Sequence, residues 1–298
     1  MNKLNNYWES GDLFPAFQYS QSIIEHHAKS FSFASKFLPD YRRWGTFAVY
    51  NFCRYADNII DNPRNRTNTE LITELNELRR ELDAAYKYGE SEHPALKAFI
   101  ATSVNFDIPK VYADDLLNGV EMDLTISRYN TFDELYVFCY RVASTVGLMT
   151  TYVLGFEGGQ KTLDYAENLG IAMQLTNILR DIADDFKLGR IYIPQEDIEN
   201  FNVNIEDIRN HIFTPELRNM MVFQVDRALN YYNNSQPGIK LLEKDSRFAI
   251  QSASKIYGEI LKKIVENDYN PFLGRVFVPH SRKIQILFSE IIGRFLNK

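Results

Sequence analysis

Apolar residues recur at helical spacing along almost the whole chain, as in Phe17, Ile24, Ala28 and Phe31, in Leu71, Leu75, Leu78 and Leu82, and in Ile256, Ile260, Leu261 and Ile264. Steps of three and four gather side chains on one face of a helix but split them between both faces of a strand. Such a chain must bury helix against helix. The spacing predicts helices over 16–36, 41–61, 68–87, 92–105, 109–126, 131–155, 161–187, 214–233, 246–267 and 280–296. Breakers fall between them: Pro39, Pro63, Pro94, Pro109, Gly158 with Gly159, Gly189, Pro194, Pro215, Pro237 and Pro271. None marks a linker long enough to divide the chain, and no internal repeat or low-complexity tract is present. The expectation is one all-α domain over residues 1–298, a helical bundle around a hydrophobic centre.

With 45% hydrophobic and 14% aromatic residues, the chain has the means to build that core and lacks the composition of a disordered one. Lys and Arg number 33 against 39 Asp and Glu, so the net charge of −6 argues against a nucleic-acid partner. Cys53 and Cys139 both stand in apolar, helical segments, which speaks for a reducing compartment and against a disulfide framework. Met1 to Asp12 has neither the charged nor the apolar region of a secretory signal, so the expected location is cytoplasmic. Leu135 to Phe156 raises the question of a bilayer span, but Arg141, Ser144 and three threonines interrupt it. A mid-span Arg is costly in hydrocarbon, and the segment reads as a buried helix.

Two Asp-x-x-x-Asp pairs carry the chemistry: Asp57 with Asp61 in RYADNIID, and Asp181 with Asp185 in NILRDIADD. Four residues along a helix put both carboxylates on one face, about 6 Å apart along the axis. Spacing alone is weak evidence, because like charges so placed repel by a few tenths of a kcal/mol. Context makes the difference: AVYNFCRYADNII and LGIAMQLTNILRDI are otherwise core-type helices, and carboxylates emerging from a core face are costly unless paired or metal-bound. Arg54 lies three residues before Asp57, Arg180 directly before Asp181, and Asn177 one turn before Asp181. Carboxylate and amide oxygens without clustered His or Cys suit Mg²⁺ or Mn²⁺ rather than Zn²⁺. Two acidic pairs with flanking arginines therefore read as a diphosphate site, with metal bridging carboxylate to phosphate and Arg donors neutralising the leaving group. The aromatic residues would then line a pocket for a long hydrocarbon, their π faces stabilising a carbocation, although plain core packing explains them too. After the first pair, Asn62 to Thr69 carries Pro63, Arg64 and Arg66; it reads either as a basic loop closing over an anion or as a solvated turn.

Five blocks carry a resemblance: HHAKSFSFASKFLP at 26–39, VYNFCRYADNIID at 49–61, NGVEMDL at 118–124, CYRVASTVGLM at 139–149 and QLTNILRDIADDFKLGRIYIPQED at 174–197. Together they resemble the squalene and phytoene synthases, which condense two prenyl diphosphates head to head within an all-α isoprenoid-synthase fold. The resemblance implies that Asp57, Asp61, Asp181 and Asp185 hold Mg²⁺ with Asn177, and that Arg54 and Arg180 bind diphosphate. It further places His27, Lys29 and Ser30 near a diphosphate, Tyr50 beside the first acidic motif, Gln174 close to the reacting chains, and Tyr257 and Arg275 as contributions from the C-terminal part. Two positions depart from the pattern. Asn58 stands where the family often has Asp, and Phe138 where relatives commonly have a Tyr whose hydroxyl is associated with the first half-reaction; Tyr136 and Tyr140 are the nearest candidates to replace it.

GRIYIPQED and VASTVGLM look most like bacterial phytoene synthases, so the expected reaction joins two geranylgeranyl diphosphates through a cyclopropyl diphosphate to phytoene, a carotenoid precursor. The alternative is farnesyl diphosphate taken to presqualene diphosphate, squalene or dehydrosqualene. No Gly-x-Gly-x-x-Gly fingerprint is present, and NADPH is not expected. For the floor that selects chain length, the two long helices around Leu148, Leu154 and Ala172 are the expected place. Two rival classes remain: a head-to-tail prenyl synthase or terpene cyclase, which would not carry the RVASTVG and GRIYIP blocks, and a prenyl-lipid binder, which would bind diphosphate without releasing it. Oligomeric state is not legible here, and so apolar a product makes peripheral membrane contact for its release an expectation.

Overall fold

The computed structural model describes residues 6–296; the side chains of Lys29, Ser30, Ile291 and 293–296 lie outside the described set. Fourteen α-helices are described: α1 (Leu13–His27), α2 (Lys29–Ser35), α3 (Asp40–Asp61), α4 (Asn68–Tyr88), α5 (Leu96–Phe106), α6 (Lys110–Thr125), α7 (Phe132–Cys139), α8 (Thr145–Leu154), α9 (Gln160–Lys187), α10 (Gln195–Asn200), α11 (Ile205–Arg209), α12 (Pro215–Ile239), α13 (Arg247–Glu266) and α14 (His280–Leu296). Among the described residues there is no strand, only the isolated bridges Arg128 to Ile191 and Phe156 to Leu242.

The helices follow the apolar period, with instructive exceptions. The helix expected over 16–36 breaks at Ala28, whose backbone (φ −130°, ψ 56°) leaves helical space between α1 and α2. Ala28 and Phe31 keep the spacing across the break, so the period does not reveal it. The stretch expected as one helix over 131–155 is α7, a π-turn at Tyr140–Ser144, and α8. Pro237 does not end its helix; α12 runs through it to Ile239. The short α10 and α11 fall below the length at which a period can be read.

Two apolar clusters hold the bundle. One joins α9, α12 and α13 through Ile171, Leu175, Ile178, Met220, Met221 and Leu261. The other joins α3, α4, α5, α6 and α8 through Phe52, Leu75, Phe99, Leu116 and Met149. Phe132–Leu154 is the one stretch among the described residues long and apolar enough to cross a membrane, and here Leu135, Cys139, Leu148, Met149 and Val153 are buried inside the bundle. The turn after α3 is structural in part: Arg66 donates to the carbonyls of Ile59, Asn62 and Pro63 and pairs with Glu74, closing the end of α3. Arg66 is therefore committed to its own turn rather than to an anion. The Thr67–Glu70 capping box then starts α4.

Candidate active site

α3 and α9 place their acidic pairs near their C-terminal ends, where unsatisfied carbonyls make negative charge unfavourable. The two ends open on one polar cleft of about 370 Å³, lined by Arg54, Asp57, Asp61, Arg180, Asp181 and Asp185 among others. Behind it lies a second chamber of about 350 Å³ that is predominantly apolar, walled by Val142, Ala143, Val146 and Gly147 from the π-turn and α8, and by Ala166, Leu169, Gly170 and Met173 from α9. Arg54, Asp57, Val142, Gln174 and Asn177 line both. The two spaces are thus one continuous site with a charged mouth and an apolar interior.

Charge in the mouth is unevenly compensated. Burial, then the charge of Asp61, pushes the Asp57 carboxyl up to about 7. Burial and Asp181 do the same to Asp185, also to about 7. Asp61 is raised by burial as well, although Arg54 Nη1 stands 3.4 Å away. Asp181 is the most fully paired of the four: Arg180 grips it at 2.8 Å through Nε, and Arg275 reaches it from the segment after α13 at 2.9 and 3.1 Å. Arg54 Nε is buried with no hydrogen-bond partner. A donor left in that condition costs about 1–3 kcal/mol unless an acceptor fills the space before it.

Most of the residues singled out in the sequence converge. Asp57, Asp61, Asp181, Asp185, Arg54, Arg180, Asn177 and Gln174 line the cleft; Asn177 Nδ2 donates to Gln174 Oε1 at 3.2 Å. Tyr50 and Tyr257 line the apolar chamber beside it, and burial raises the Tyr50 phenol to about 12. Arg275 joins through Asp181. His27 ends α1, exposed; the slight desolvation of its ring and the nearby Arg54 and His26 charges hold its pKa down. It lines neither chamber. Lys29 and Ser30 sit in α2, and their side chains lie outside the described residues.

Both departures find a physical place. Asn58 lines neither chamber, so its missing charge falls away from the carboxylate face. Phe138 does line the cleft. Neither candidate for its missing hydroxyl serves: Tyr136 donates to Glu167, and Tyr140 lines neither chamber. Leu148, Leu154 and Ala172 are buried in helix packing rather than on the chamber wall, to which the same helices contribute Thr150, Thr151 and Thr162 instead. Sequence reasoning missed three cleft residues: Asp123 on α6, and Arg190 and Tyr192 after α9. Arg190 pairs with Asp123 at 3.1 Å, and the Tyr192 hydroxyl donates to the same carboxylate. NGVEMDL and GRIYIP already stood out as blocks, but a lone Asp with no helical partner gives no spacing to read.

The family model for squalene/phytoene synthase matches residues 24–282. The chain belongs to this family. A 15-cis-phytoene synthase of Synechocystis sp. is 35% identical over 283 residues, covering 91% of this chain and 83% of that one. The chloroplastic phytoene synthase 1 of Solanum lycopersicum is 34% identical over 281 residues, 92% of this chain and 67% of that one. Among solved structures, a dehydrosqualene synthase in complex with ligand superposes with a TM-score of 0.85 at 32% identity, covering 98% of both chains. The squalene synthase HpnC from Alicyclobacillus acidocaldarius gives 0.81 at 26% identity, covering 90% of this chain and all of that one. The fold is the all-α isoprenoid-synthase fold, and this squalene/phytoene synthase is a prenyltransferase of the phytoene synthase type.

Proposed function

We propose that the protein joins two geranylgeranyl diphosphates head to head into phytoene, with the diphosphates in the polar mouth and the prenyl chains in the apolar chamber. The observation that carries this is the shared wall: Arg54, Asp57, Gln174 and Asn177 face both spaces, so a carbon–oxygen bond broken at the mouth leaves its cation at the entrance to an interior of apolar lining. The phytoene synthases of Synechocystis sp. and Solanum lycopersicum support the choice of product.

A divalent cation fits the donor set. Among the described residues no three carboxylate, imidazole or thiol groups converge into a complete cage. Paired oxygens from opposing helices that leave positions for substrate phosphate are what Mg²⁺ favours. Asp57 and Asp61 on one side, with Asp181, Asp185 and Asn177 on the other, would hold it, and its contribution would be Lewis-acid neutralisation of the departing diphosphate. Arg54, with its unpartnered Nε, together with Arg180 and Arg275, binds diphosphate oxygens by charge-assisted hydrogen bonds. Departure of one diphosphate leaves an allylic cation; the double bond of the second chain attacks it, and the tertiary cation so formed loses a proton as the ring closes to a cyclopropyl diphosphate. Departure of the second diphosphate and rearrangement of the resulting cation follow, and loss of a second proton ends the sequence without a reductant.

Purified protein incubated with Mg²⁺ and either geranylgeranyl or farnesyl diphosphate, with and without NADPH, tests this by mass analysis of the organic extract. A C40 hydrocarbon from geranylgeranyl diphosphate without NADPH is the expected product. A C30 hydrocarbon or a cyclopropyl diphosphate from farnesyl diphosphate alone overturns the chain-length assignment. Diphosphate bound but never released overturns catalysis.

A further inference from the structure

Behind the acidic mouth, Tyr129, Phe138 and Tyr192 form a cluster of three rings. Phe138 and Tyr192 stack at 5.2 Å between centroids, Tyr129 and Tyr192 at 6.1 Å, and Tyr129 leans on Phe138 at 5.5 Å. Only Phe138 and Tyr192 of the three line the cleft. The Tyr129 hydroxyl is buried with no partner, whereas the Tyr192 hydroxyl gives its proton to Asp123, which Arg190 holds from the other side. Among the described residues, Tyr192 is the only hydroxyl-bearing side chain on the cleft wall.

This arrangement has a definite electrostatic result. A phenol whose proton is held by a carboxylate turns an electron-rich oxygen to its open side. Arg190 cancels the charge of Asp123, so the unit presents a dipole rather than a second bare anion to the diphosphates. Phe138, Val142 and Tyr192 line the same cleft and Val142 also lines the chamber, so the phenol shares a wall with the passage where a cation would form.

Resting on the prenyltransferase reading above, we infer that Tyr192 is a catalytic residue of the condensation, its oxygen stabilising the allylic cation after diphosphate departs, with Asp123 and Arg190 as positioning residues. No bond to the phenol forms and no proton leaves it. The dipole is preorganised, so it acts on the transition state more than on substrate binding.

The test compares Tyr192→Phe, Tyr129→Phe and the double variant Tyr192→Phe/Phe138→Tyr in the full chain with Mg²⁺. The readout is diphosphate release from whichever prenyl diphosphate the wild type consumes, with product mass recorded separately. Tyr192→Phe keeps the ring stack and is expected to lose roughly 10²-fold in kcat with KM little changed. Tyr129→Phe loses a hydroxyl from the same cluster and is expected to match wild type. The double variant returns a phenol to the adjacent cleft ring and is expected to recover at least tenfold. Wild-type kcat in Tyr192→Phe, equal losses in Tyr192→Phe and Tyr129→Phe, or no recovery in the double variant overturns the assignment. A C30 rather than C40 product would overturn only the chain length proposed above, and a wild type that releases no diphosphate overturns both readings.

Discussion

Asp57 and Asp185 hold their charge in surroundings that resist it, and this has a measurable sign. Their carboxyls are raised from an ordinary 3.8 to about 7 by burial and by the partner Asp of each pair. A carboxyl with a higher pKa folded than unfolded binds its proton more tightly in the folded state. Its contribution to stability is therefore full below pH 3.8, falls as pH rises toward 7, and stays low above it. His93, held below its ordinary value by burial, acts in the opposite direction near neutrality. Comparison with a variant isolates the carboxylate. Metal-free Asp57→Asn should melt above metal-free wild type at about pH 8, the two should draw together at about pH 5.5, and Mg²⁺ should raise the wild type most at the higher pH. The same variant should lose at least roughly 10²-fold in kcat. Equal melting curves at both pH values would mean that Asp57 carries no buried charge.

At the scale of elements, the chamber exists because α9 can come close to the π-turn on one side and to α12 on another. A Cβ on Gly170 would stand 2.4 Å from Ser144 Cα and 2.7 Å from its backbone N, atoms that cannot step aside cheaply. Ser144 is fixed there by its hydroxyl, which donates to the Glu167 carbonyl at 2.8 Å. The extra residue of a π-turn widens the helix locally and re-phases the turns beyond it, which is how Phe138 faces the cleft while Val146 and Gly147 face the chamber. Gly170→Ala should cost roughly 1–3 kcal/mol, and each kcal/mol lowers Tm by about 2–4 °C in a chain of this size. Gly258 in α13 is the contrast: nothing lies within 4 Å of its would-be Cβ. Gly258→Ala should gain about 0.5–1 kcal/mol. Thermal melts of the two variants check both signs, and a neutral Gly170→Ala would mean the crossing has room to spare.

At the scale of the molecule, the site is closed by residues far apart in the chain: Arg275 meets Asp181 across 94 positions. Arg275→Ala leaves the core untouched and should raise KM about tenfold with kcat little altered, as expected for a contact made equally in ground and transition states. A matching fall in kcat would place Arg275 in the transition state instead. The amino-acid sequence by itself determined the helical class, the two acidic faces and their arginines, because helical spacing and the cost of burying charge act within one or two turns. It also marked NGVEMDL and GRIYIP as blocks without assigning Asp123, Arg190 or Tyr192. Only the tertiary structure decided that Asp123 supports Tyr192, that Tyr136 turns to Glu167 instead, that Leu148, Leu154 and Ala172 face away from the chamber, and that Arg66 caps α3. Each of these depends on which helix lies opposite. Phe138 shows why: its spacing puts it on a buried face, but that this face borders the cleft comes from α9 and the segment after it packing where they do. A local period carries no record of that packing.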